Sequence, residues 1–250
     1  MKETNIWNPN KYKEHADFVS NLAFPVIELL DLKKDEKILD LGCGEGTLAL
    51  EIKKIASDVT CVDLNENMVE KSKSKGLDAY VMSVTNLTFV NKFDSVFSNA
   101  VLHWVKDCDL GIKNIKKSLK SKGKFVAEFG GYGNIKNLVD AMQKVFDKNP
   151  NWGEFNNPWI FPKDTEYKSL LQENGFVVEY IELIPRPTPI DDIINWLDVF
   201  ANGITENLTS EQKIEFKEEV KELLKEKQYT EKDGWSADYV RLRLKARRID

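Results

Sequence analysis

The stretch Ile38-Leu-Asp-Leu-Gly-Cys-Gly-Glu-Gly46 decides how the rest of the chain is interpreted. It opens on apolar residues typical of a buried strand, continues through three glycines, and leads into a helical apolar pattern over residues 47–55. Glycine tolerates positive φ and lets the backbone approach a ligand closely. The stretch therefore predicts a strand, a ligand-binding turn and a helix, in that order.

Two carboxylates accompany this turn and indicate what it binds. Asp63 ends the next strand, about 17 residues beyond Gly46, near the distance at which an acidic residue binds ribose hydroxyls in dinucleotide folds. Asp40 precedes the first glycine, and the glycines are spaced GxGxG instead of the GxGxxG of NAD-binding turns. A carboxylate there suits a ligand with an amino group and no pyrophosphate. The pattern favours S-adenosylmethionine, whose methionine part carries an ammonium group, over NAD.

Short apolar strands alternate with helical patterns in the first half of the chain, which predicts repeated βαβ units and a parallel sheet covered by helices on both faces. Residues 185–189, Pro-Arg-Pro-Thr-Pro, are expected not to continue a sheet. Strands are expected at 37–41, 58–62, 79–82, 93–98, 124–129, 176–184 and 236–248. We expect a single domain over 1–250, made of an N-terminal helical segment at 1–36, a core at 37–186 and 235–250, and a helical insertion at 187–234.

Composition excludes several other classes of protein. Lysine and arginine number 36 and aspartate and glutamate 41, a net charge of −5 that disfavours a nucleic-acid partner. No apolar run approaches the ~18–20 residues of a membrane helix, and the N-terminus has no signal-peptide layout, so a cytoplasmic protein is expected. We expect it to be a monomer or a weak dimer. Three cysteines and two histidines without metal-binding spacing predict neither a disulfide framework nor a metal site.

Several segments resemble the motifs of class I S-adenosylmethionine-dependent methyltransferases. Residues 38–46 resemble the first motif, CVDLNENM at 61–68 the second, FDSVFSNAVLHWV at 93–105 the fourth, and SLKSKGKFVAEFGG at 118–131 the stretch that leads into the fifth strand. Trp7-Asn8-Pro9 with Tyr12, together with residues 99–104, is similar to trans-aconitate 2-methyltransferases and malonyl-carrier-protein methyltransferases. The resemblance implies a Rossmann-like, seven-stranded, mostly parallel sheet with an antiparallel last strand. It also implies S-adenosylmethionine as the cofactor, released as S-adenosylhomocysteine.

The resemblance assigns cofactor contacts residue by residue. Asp63 is placed at the ribose, Met68 near the adenine, and Ser83 where relatives often carry an acidic residue that faces the adenine amine. Asn99, at the end of the fourth strand, either contacts a ligand or caps the turn. The expected cofactor-binding residues are Asp40, Gly42, Cys43, Gly44, Gly46, Asp63, Leu64, Met68, Ser83, Val84 and Asn99.

The acceptor side of the site is expected just beyond the fourth strand. His103 is the candidate general base, and the alternative is a histidine that packs against Trp104 without a catalytic role. All five arginines lie at or after Arg186, so Arg186 and Arg241 are the candidate anchors for an anionic acceptor. The N-terminal helix and the insertion are expected to form a lid over the acceptor. The expected substrate or lid residues are Trp7, Tyr12, Trp104, Arg186, Trp196, Phe200 and Arg241.

Together these features predict an S-adenosylmethionine-dependent enzyme that methylates a small molecule. A carboxylate acceptor is favoured because it is ionised at neutral pH and needs no general base, whereas a hydroxyl or an amine needs one. Two alternatives stay open. One is a lipid- or carbon-directed enzyme of the cyclopropane-synthase kind, and the other is a cofactor-binding module without catalytic activity.

Overall fold

The computed structural model of the protein describes residues 24–250. Trp7, Tyr12 and the first part of the predicted N-terminal helix lie outside the described residues. The described chain forms two compact units, a larger one of residues 24–132, 160–184 and 241–250, and a smaller one of residues 133–159 and 185–240. Each helix within residues 24–250 is too short or too polar to span a bilayer.

Strands and helices alternate through both units. The strands are β1 (Lys37–Leu41), β2 (Asp58–Asp63), β3 (Asp78–Val81), β4 (Phe93–Asn99), β5 (Leu119–Gly130), β6 (Phe176–Pro185), β7 (Thr188–Ile190), β8 (Tyr229–Thr230), β9 (Gly234–Ala237) and β10 (Val240–Arg248). The helices are α1 (residues 24–29), α2 (Thr47–Lys53), α3 (Glu66–Ser74), α4 (Cys108–Ser118), α5 (Lys136–Lys148), α6 (Asp164–Glu173), α7 (Ile193–Phe200) and α8 (Ser210–Gln228). Short 3₁₀ turns occur at Val84–Asn86, Leu102–Trp104 and Pro150–Trp152.

The larger unit contains a seven-stranded sheet in the order β3-β2-β1-β4-β5-β10-β6. β1 to β5 pair in parallel, and β10 runs antiparallel to β5. This architecture confirms the predicted seven-stranded, mostly parallel sheet with an antiparallel last strand. The chain proceeds outward from β1 through β2 to β3 and then crosses back to β4, so the strand order reverses between β1 and β4. Ligands of open α/β sheets bind at such a reversal, outside the carboxyl ends of the strands.

The central strands of the sheet are buried on both faces. Four of the five β1 residues are buried, and β5 is buried from Gly123 to Gly130. One hydrophobic cluster gathers Leu39, Phe93 and Phe125, and a second gathers Ile38, Phe97 and Val126. Adjacent residues of one strand belong to different clusters because side chains alternate between the two faces of a sheet. The sheet is therefore a rigid support for the loops at its carboxyl edge.

The end of the chain departs from the predicted single strand at 236–248. Ser236 and Ala237 belong to β9, in a separate three-stranded sheet ordered β7-β9-β8, and β10 begins only at Val240. Tyr239 N–H donates to Ala237 O at 2.9 Å, which closes a tight turn between the two strands. The side chain of Asp238 accepts from Asn137 N–H and from Gln228 Nε2. An alternating pattern alone does not show such a break.

The expectation that the proline segment would not continue a sheet is wrong for its last part. Thr188 to Ile190 form β7, and Pro189 lies opposite Ser236 in antiparallel register with β9. β7 is an edge strand of its sheet, so the missing N–H of Pro189 needs no partner on the outer side.

The smaller unit has its own core, in which α5, α7 and α8 surround aromatic side chains. The Phe146 ring lies 5.6 Å from the Phe216 ring, and Trp196 lies 6.2 Å from Trp159 and 4.9 Å from Phe200. The predicted insertion at 187–234 belongs to this unit. Residues 133–159, which the sequence pattern assigned to the sheet-bearing core, belong to it as well. The predicted boundary between the sheet-bearing core and the insertion therefore stays a prediction.

Candidate active site

The glycine turn lies at the carboxyl end of β1, on the edge where the strand order reverses. Gly42, Gly44 and Gly46 all have positive φ, at 77°, 55° and 79°. The N–H groups of Gly42 and Cys43 both donate to Val62 O, at 2.7 and 3.0 Å, which ties the turn to the end of β2. The turn has one defined conformation because the neighbouring strand holds its backbone.

Gly42 also has a steric reason to be glycine. A Cβ at this position would lie 2.1 Å from Cγ2 of Val101, a distance that real side chains do not reach. Val101 follows β4, so the approach joins the ends of the two strands at the reversal point. Val101 was not among the predicted site residues, because nothing local to its sequence indicates a contact with the turn.

Asp63, predicted at the ribose, also organises the turn. Its Oδ2 accepts from Gly44 N–H at 2.9 Å and its Oδ1 from Asn65 N–H at 2.8 Å. Burial raises the pKa of this carboxyl, and the backbone hydrogen bonds partly oppose that shift. A carboxylate has about four lone-pair sites, so both oxygens can still accept from ribose hydroxyls.

Asp40 is the most unusual group of the site. Its side chain is 2% exposed, and its Oδ2 has no hydrogen-bond partner among residues 24–250. Burial, and after it the charge of Asp63, raise the pKa of Asp40 to about 7. A buried carboxylate without a partner is costly, and a cation removes that cost. The orphan oxygen fits the ammonium group of S-adenosylmethionine, and the Cβ-free turn fits a closely approaching ligand.

A buried serine supports the turn from α3. Ser72 is fully buried, and its hydroxyl donates to Gly44 O at 2.9 Å. The Cys43 thiol lies 3.7 Å from the same hydroxyl and donates to Gly44 O at 3.4 Å. The thiol of Cys43 therefore packs within the turn, against Ser72 and Gly44. Ser72 was not predicted either, although its spacing from Met68 places both residues on the buried face of α3.

The remaining predicted cofactor residues lie around the ends of β2 and β3. Leu64 is 40% exposed directly after Asp63, whereas Met68 is buried in α3. The Ser83 hydroxyl accepts from Thr85 N–H at 3.3 Å and so caps a 3₁₀ turn that starts at the buried Val84. Met82 N–H donates to Asp63 O, which brings the Ser83 segment beside Asp63. Their contacts with adenine stay predictions.

His103 lies in the turn that follows β4 and is almost fully buried. Its Nδ1 accepts from Gly130 N–H at 3.2 Å, at the end of β5. Burial, with a smaller contribution from the charge of Arg241, lowers the pKa of the imidazole to about 3. His103 is therefore neutral, with its one available lone pair already occupied. This geometry does not favour the predicted role of a general base.

Asn99 lies at the end of β4, next to an ion pair between β5 and β10. Asn99 ends β4 and lies opposite Glu128 of β5. The Glu128 Oε2 accepts from Nε of Arg243 at 2.7 Å, and Nη2 of Arg243 lies 2.7 Å from the same oxygen. This charge-assisted ion pair holds the two side chains together. The sequence assigned no role to Glu128, and here it joins β5 to β10.

The predicted lid residues of the smaller unit form a local cluster. The Trp196 indole N–H donates to Tyr239 OH at 2.7 Å, and its ring contacts Phe200. Arg186 N–H donates to Tyr239 O at 2.7 Å. Arg241 instead belongs to the larger unit, as do Trp104 and His103. The roles of these residues in a lid or in acceptor binding stay predictions.

Comparisons with known proteins agree with this fold. Residues 39–127, from β1 to β5, match the methyltransferase domain family. The chain is 34% identical over 208 residues to an uncharacterized methyltransferase of Schizosaccharomyces pombe. The matched region covers 78% of this chain and 80% of the relative. It is 25% identical over 240 residues to trans-aconitate 2-methyltransferase of Rhodococcus jostii, covering 92% and 94%.

Solved structures show the same fold at lower identity. A Bacillus halodurans protein described as a methyltransferase superposes with a TM-score of 0.67 at 18% identity, covering 92% of this chain and all of that one. Geranyl diphosphate methyltransferase, solved with GPP and sinefungin, gives a TM-score of 0.56 at 17% identity, covering 92% and 78%. The fold and the glycine turn define a Rossmann-like methyltransferase. The chain belongs to the class I S-adenosylmethionine-dependent methyltransferases.

Proposed function

We propose that the protein transfers a methyl group from S-adenosylmethionine to a small molecule that bears a carboxylate. The observation that carries the cofactor assignment is the buried Asp40, whose Oδ2 has no partner within residues 24–250. The observation that favours a carboxylate acceptor is the neutral, hydrogen-bonded His103. Two groups of relatives, named for trans-aconitate and for malonyl-[acyl-carrier protein], are named for acceptors that carry carboxyl groups.

The residues of the larger unit divide the binding of the cofactor between them. Asp40 binds the ammonium group, Asp63 accepts from the ribose hydroxyls, and the backbone of 42–46 lies against the methionine part. Leu64, Met68, Ser83 and Val84 surround the adenine. When bound, S-adenosylmethionine supplies a methyl group that is already activated by its sulfonium. The remaining task of the protein is to orient the acceptor and exclude water, and positioning alone can lower a barrier by ~7–11 kcal/mol.

Two measurements test this proposal in sequence. Titration calorimetry with S-adenosylmethionine and S-adenosylhomocysteine should show binding of both. A screen with tritium-labelled methyl donor against acids, phenols, amines and lipids should then show transfer to acids. Transfer to lipids or amines instead would overturn the acceptor assignment, and cofactor binding without transfer to any class would indicate a binding module.

Kinetic measurements can distinguish whether His103 acts as a general base or binds the acceptor. Because the pKa of its imidazole is lowered to about 3, we expect turnover to show no His103 titration between about pH 5 and 9. We expect His103→Ala to raise the KM for the acceptor while kcat falls less than tenfold. Steady-state kinetics over this pH range measures both. A base would behave differently, with kcat reduced ~10²-fold or more and a pH inflection lost in the variant.

We further propose that the insertion at 187–234 acts as the lid predicted from sequence. A lid must open, so its contacts should be weaker than those of the sheet core. Hydrogen exchange should therefore slow in residues 187–234 when S-adenosylhomocysteine or a product pair is bound, more than in β4 and β5. Equal exchange with and without ligand would leave the segment as a purely structural part of the smaller unit.

A further inference from the structure

The glycine turn rests on the end of helix α3. A Cβ at Gly46 would lie 2.3 Å from Cδ1 of Leu77 and 2.9 Å from Oγ of Ser72, so the turn and this helix end approach each other too closely for a larger residue. Nζ of Lys53, in α2, donates to Gly76 O at 3.0 Å, directly after the same helix end. The turn, the helix that follows it and the end of α3 are therefore fastened to one another.

Two side chains at the end of α3 donate to consecutive carbonyl groups of the turn. Ser72 is fully buried, and its hydroxyl donates to Gly44 O at 2.9 Å. Nζ of Lys75 donates to Glu45 O at 2.8 Å. Ser72 and Lys75 are three residues apart, a spacing that places both on one face of a helix. Together the two donors hold the carbonyl groups of the turn toward α3.

The orientation of the Gly44 carbonyl also fixes the N–H of Glu45. In a trans peptide the carbonyl oxygen and the following N–H point to opposite sides. Because Gly44 O is held toward Ser72, the N–H of Glu45 points away from α3. Glu45 is 8% exposed, and the N–H groups of buried residues are normally paired. Within residues 24–250 this N–H has no acceptor, so the turn keeps it available to a ligand.

The carboxylate of Glu45 gives a reason for a lysine at position 75. This side chain is 9% exposed, and its Oε2 lies 3.3 Å from Nζ of Lys75. Its Oε1 has no hydrogen-bond partner among the described residues 24–250. A buried carboxylate is costly without a cation beside it. The ammonium group of Lys75 supplies that charge and holds Glu45 O at the same time, so a neutral residue at this position would lose both contacts.

We propose that Ser72 and Lys75 are positioning residues for S-adenosylmethionine, because they hold the turn so that the N–H of Glu45 faces the methionine part of the cofactor. The inference rests on the proposed function, which places the methionine part against residues 42–46. It adds two residues outside the turn that determine how tightly this part binds. The residues proposed to surround the adenine take no part in these two hydrogen bonds.

The experiment compares two ligands of the full-length protein by titration calorimetry. S-adenosylhomocysteine carries the amino-acid part of the cofactor, and methylthioadenosine lacks it. We expect Lys75→Met to weaken S-adenosylhomocysteine at least tenfold and methylthioadenosine less than threefold. Lys75→Arg keeps a cation and N–H donors, so S-adenosylhomocysteine affinity should stay within about threefold of the unmodified protein. Ser72→Ala should weaken S-adenosylhomocysteine about threefold or more, since only the weaker thiol donor of Cys43 then holds Gly44 O.

Lys73→Met is the matched control. Lys73 lies in the last turn of α3, and its Nζ pairs with Glu70 at 2.9 Å instead of with the glycine turn. This variant should leave both affinities unchanged. Urea unfolding of each variant separates an unfolded protein from a folded one that binds weakly, and Ser72→Ala applies the same two-ligand comparison to the second donor.

Three results would overturn the inference. One is a Lys75→Met variant that binds S-adenosylhomocysteine as tightly as the unmodified protein. Another is a folded Lys75→Met variant that loses equal affinity for the two ligands, because Lys75 would then support the whole site without orienting the turn. The third is an equal loss in Lys73→Met. Failure of S-adenosylhomocysteine to bind the unmodified protein would instead overturn the proposed function.

Discussion

Replacement of Asp40 by asparagine should abolish measurable binding of S-adenosylmethionine and, at the same time, stabilise the folded protein above pH 7. Asp40 is buried, and its pKa lies at about 7 instead of the usual 3.8. The folded state therefore holds a proton that the unfolded state releases, and the associated stability is lost as pH rises from about 4 to 7. Asparagine does not ionise, so the Asp40→Asn variant does not lose this stability as pH rises.

The size of the stabilisation follows from the same shift. One pKa unit corresponds to 1.36 kcal/mol, so ionising Asp40 in the folded protein costs on the order of 4 kcal/mol at high pH. The asparagine amide also needs partners, so we expect a net gain of at least about 1 kcal/mol at pH 8. Urea unfolding at pH 8 and pH 5 measures it. The gain should shrink strongly at pH 5, and a variant less stable than the parent at pH 8 would contradict the argument.

The predicted loss of S-adenosylmethionine binding in Asp40→Asn has its own control. In the unmodified protein, cofactor affinity should rise as pH increases from about 6 to 8, because the ammonium group binds the ionised carboxylate. Methylthioadenosine lacks the amino-acid part of the cofactor, so its affinity should be the same for the parent and for Asp40→Asn. Retention of S-adenosylmethionine binding within threefold in the variant would show that Asp40 does not bind the ammonium group.

The Gly42→Ala substitution should have the second large effect, and Gly44→Ala is its matched comparison. Both positions have positive φ, where an alanine costs about 1–2 kcal/mol. Only at Gly42 does the new Cβ meet a side chain, 2.1 Å from Val101 Cγ2, whereas nothing lies within 4 Å at Gly44. Overpacking adds about 1–3 kcal/mol at Gly42. We therefore expect Gly42→Ala to lose more stability and at least tenfold more S-adenosylhomocysteine affinity than Gly44→Ala.

A double variant separates the two causes at Gly42. Removing the Val101 methyl groups by Val101→Ala leaves its Cβ at 3.0 Å from the new atom, which is tight but tolerable with small shifts. Gly42→Ala with Val101→Ala should therefore recover the steric part of the loss and keep the backbone strain. Equal losses for Gly42→Ala and Gly44→Ala, measured by urea unfolding and calorimetry, would rule out the close approach as the reason for glycine.

Element lengths show where local pattern was a poor guide. The fifth strand was expected at 124–129, but β5 runs from Leu119 to Gly130, because Leu119 also pairs with β4, opposite Phe93, before the register shifts ahead of Lys124. The end of the proline segment can belong to β7 because β7 lies at the edge of its sheet, and edge position is a property of the assembled sheet. A polar or proline-containing stretch becomes a strand when its partner supplies the hydrogen bonds.

The sequence by itself determined the alternation of strands and helices, the glycine turn, and the positions of Asp40 and Asp63 at two strand ends. These features depend on spacing along a short stretch, since side-chain period and glycine φ are local properties. Only the tertiary structure decided that Val101 meets Gly42, that Ser72 supports the turn, and that Gly130 N–H donates to His103. Those contacts depend on strand order and register, which non-local burial and hydrogen bonding select. The charge state of Asp40 and of His103 was decided in the same way, because desolvation exists only once the chain is packed.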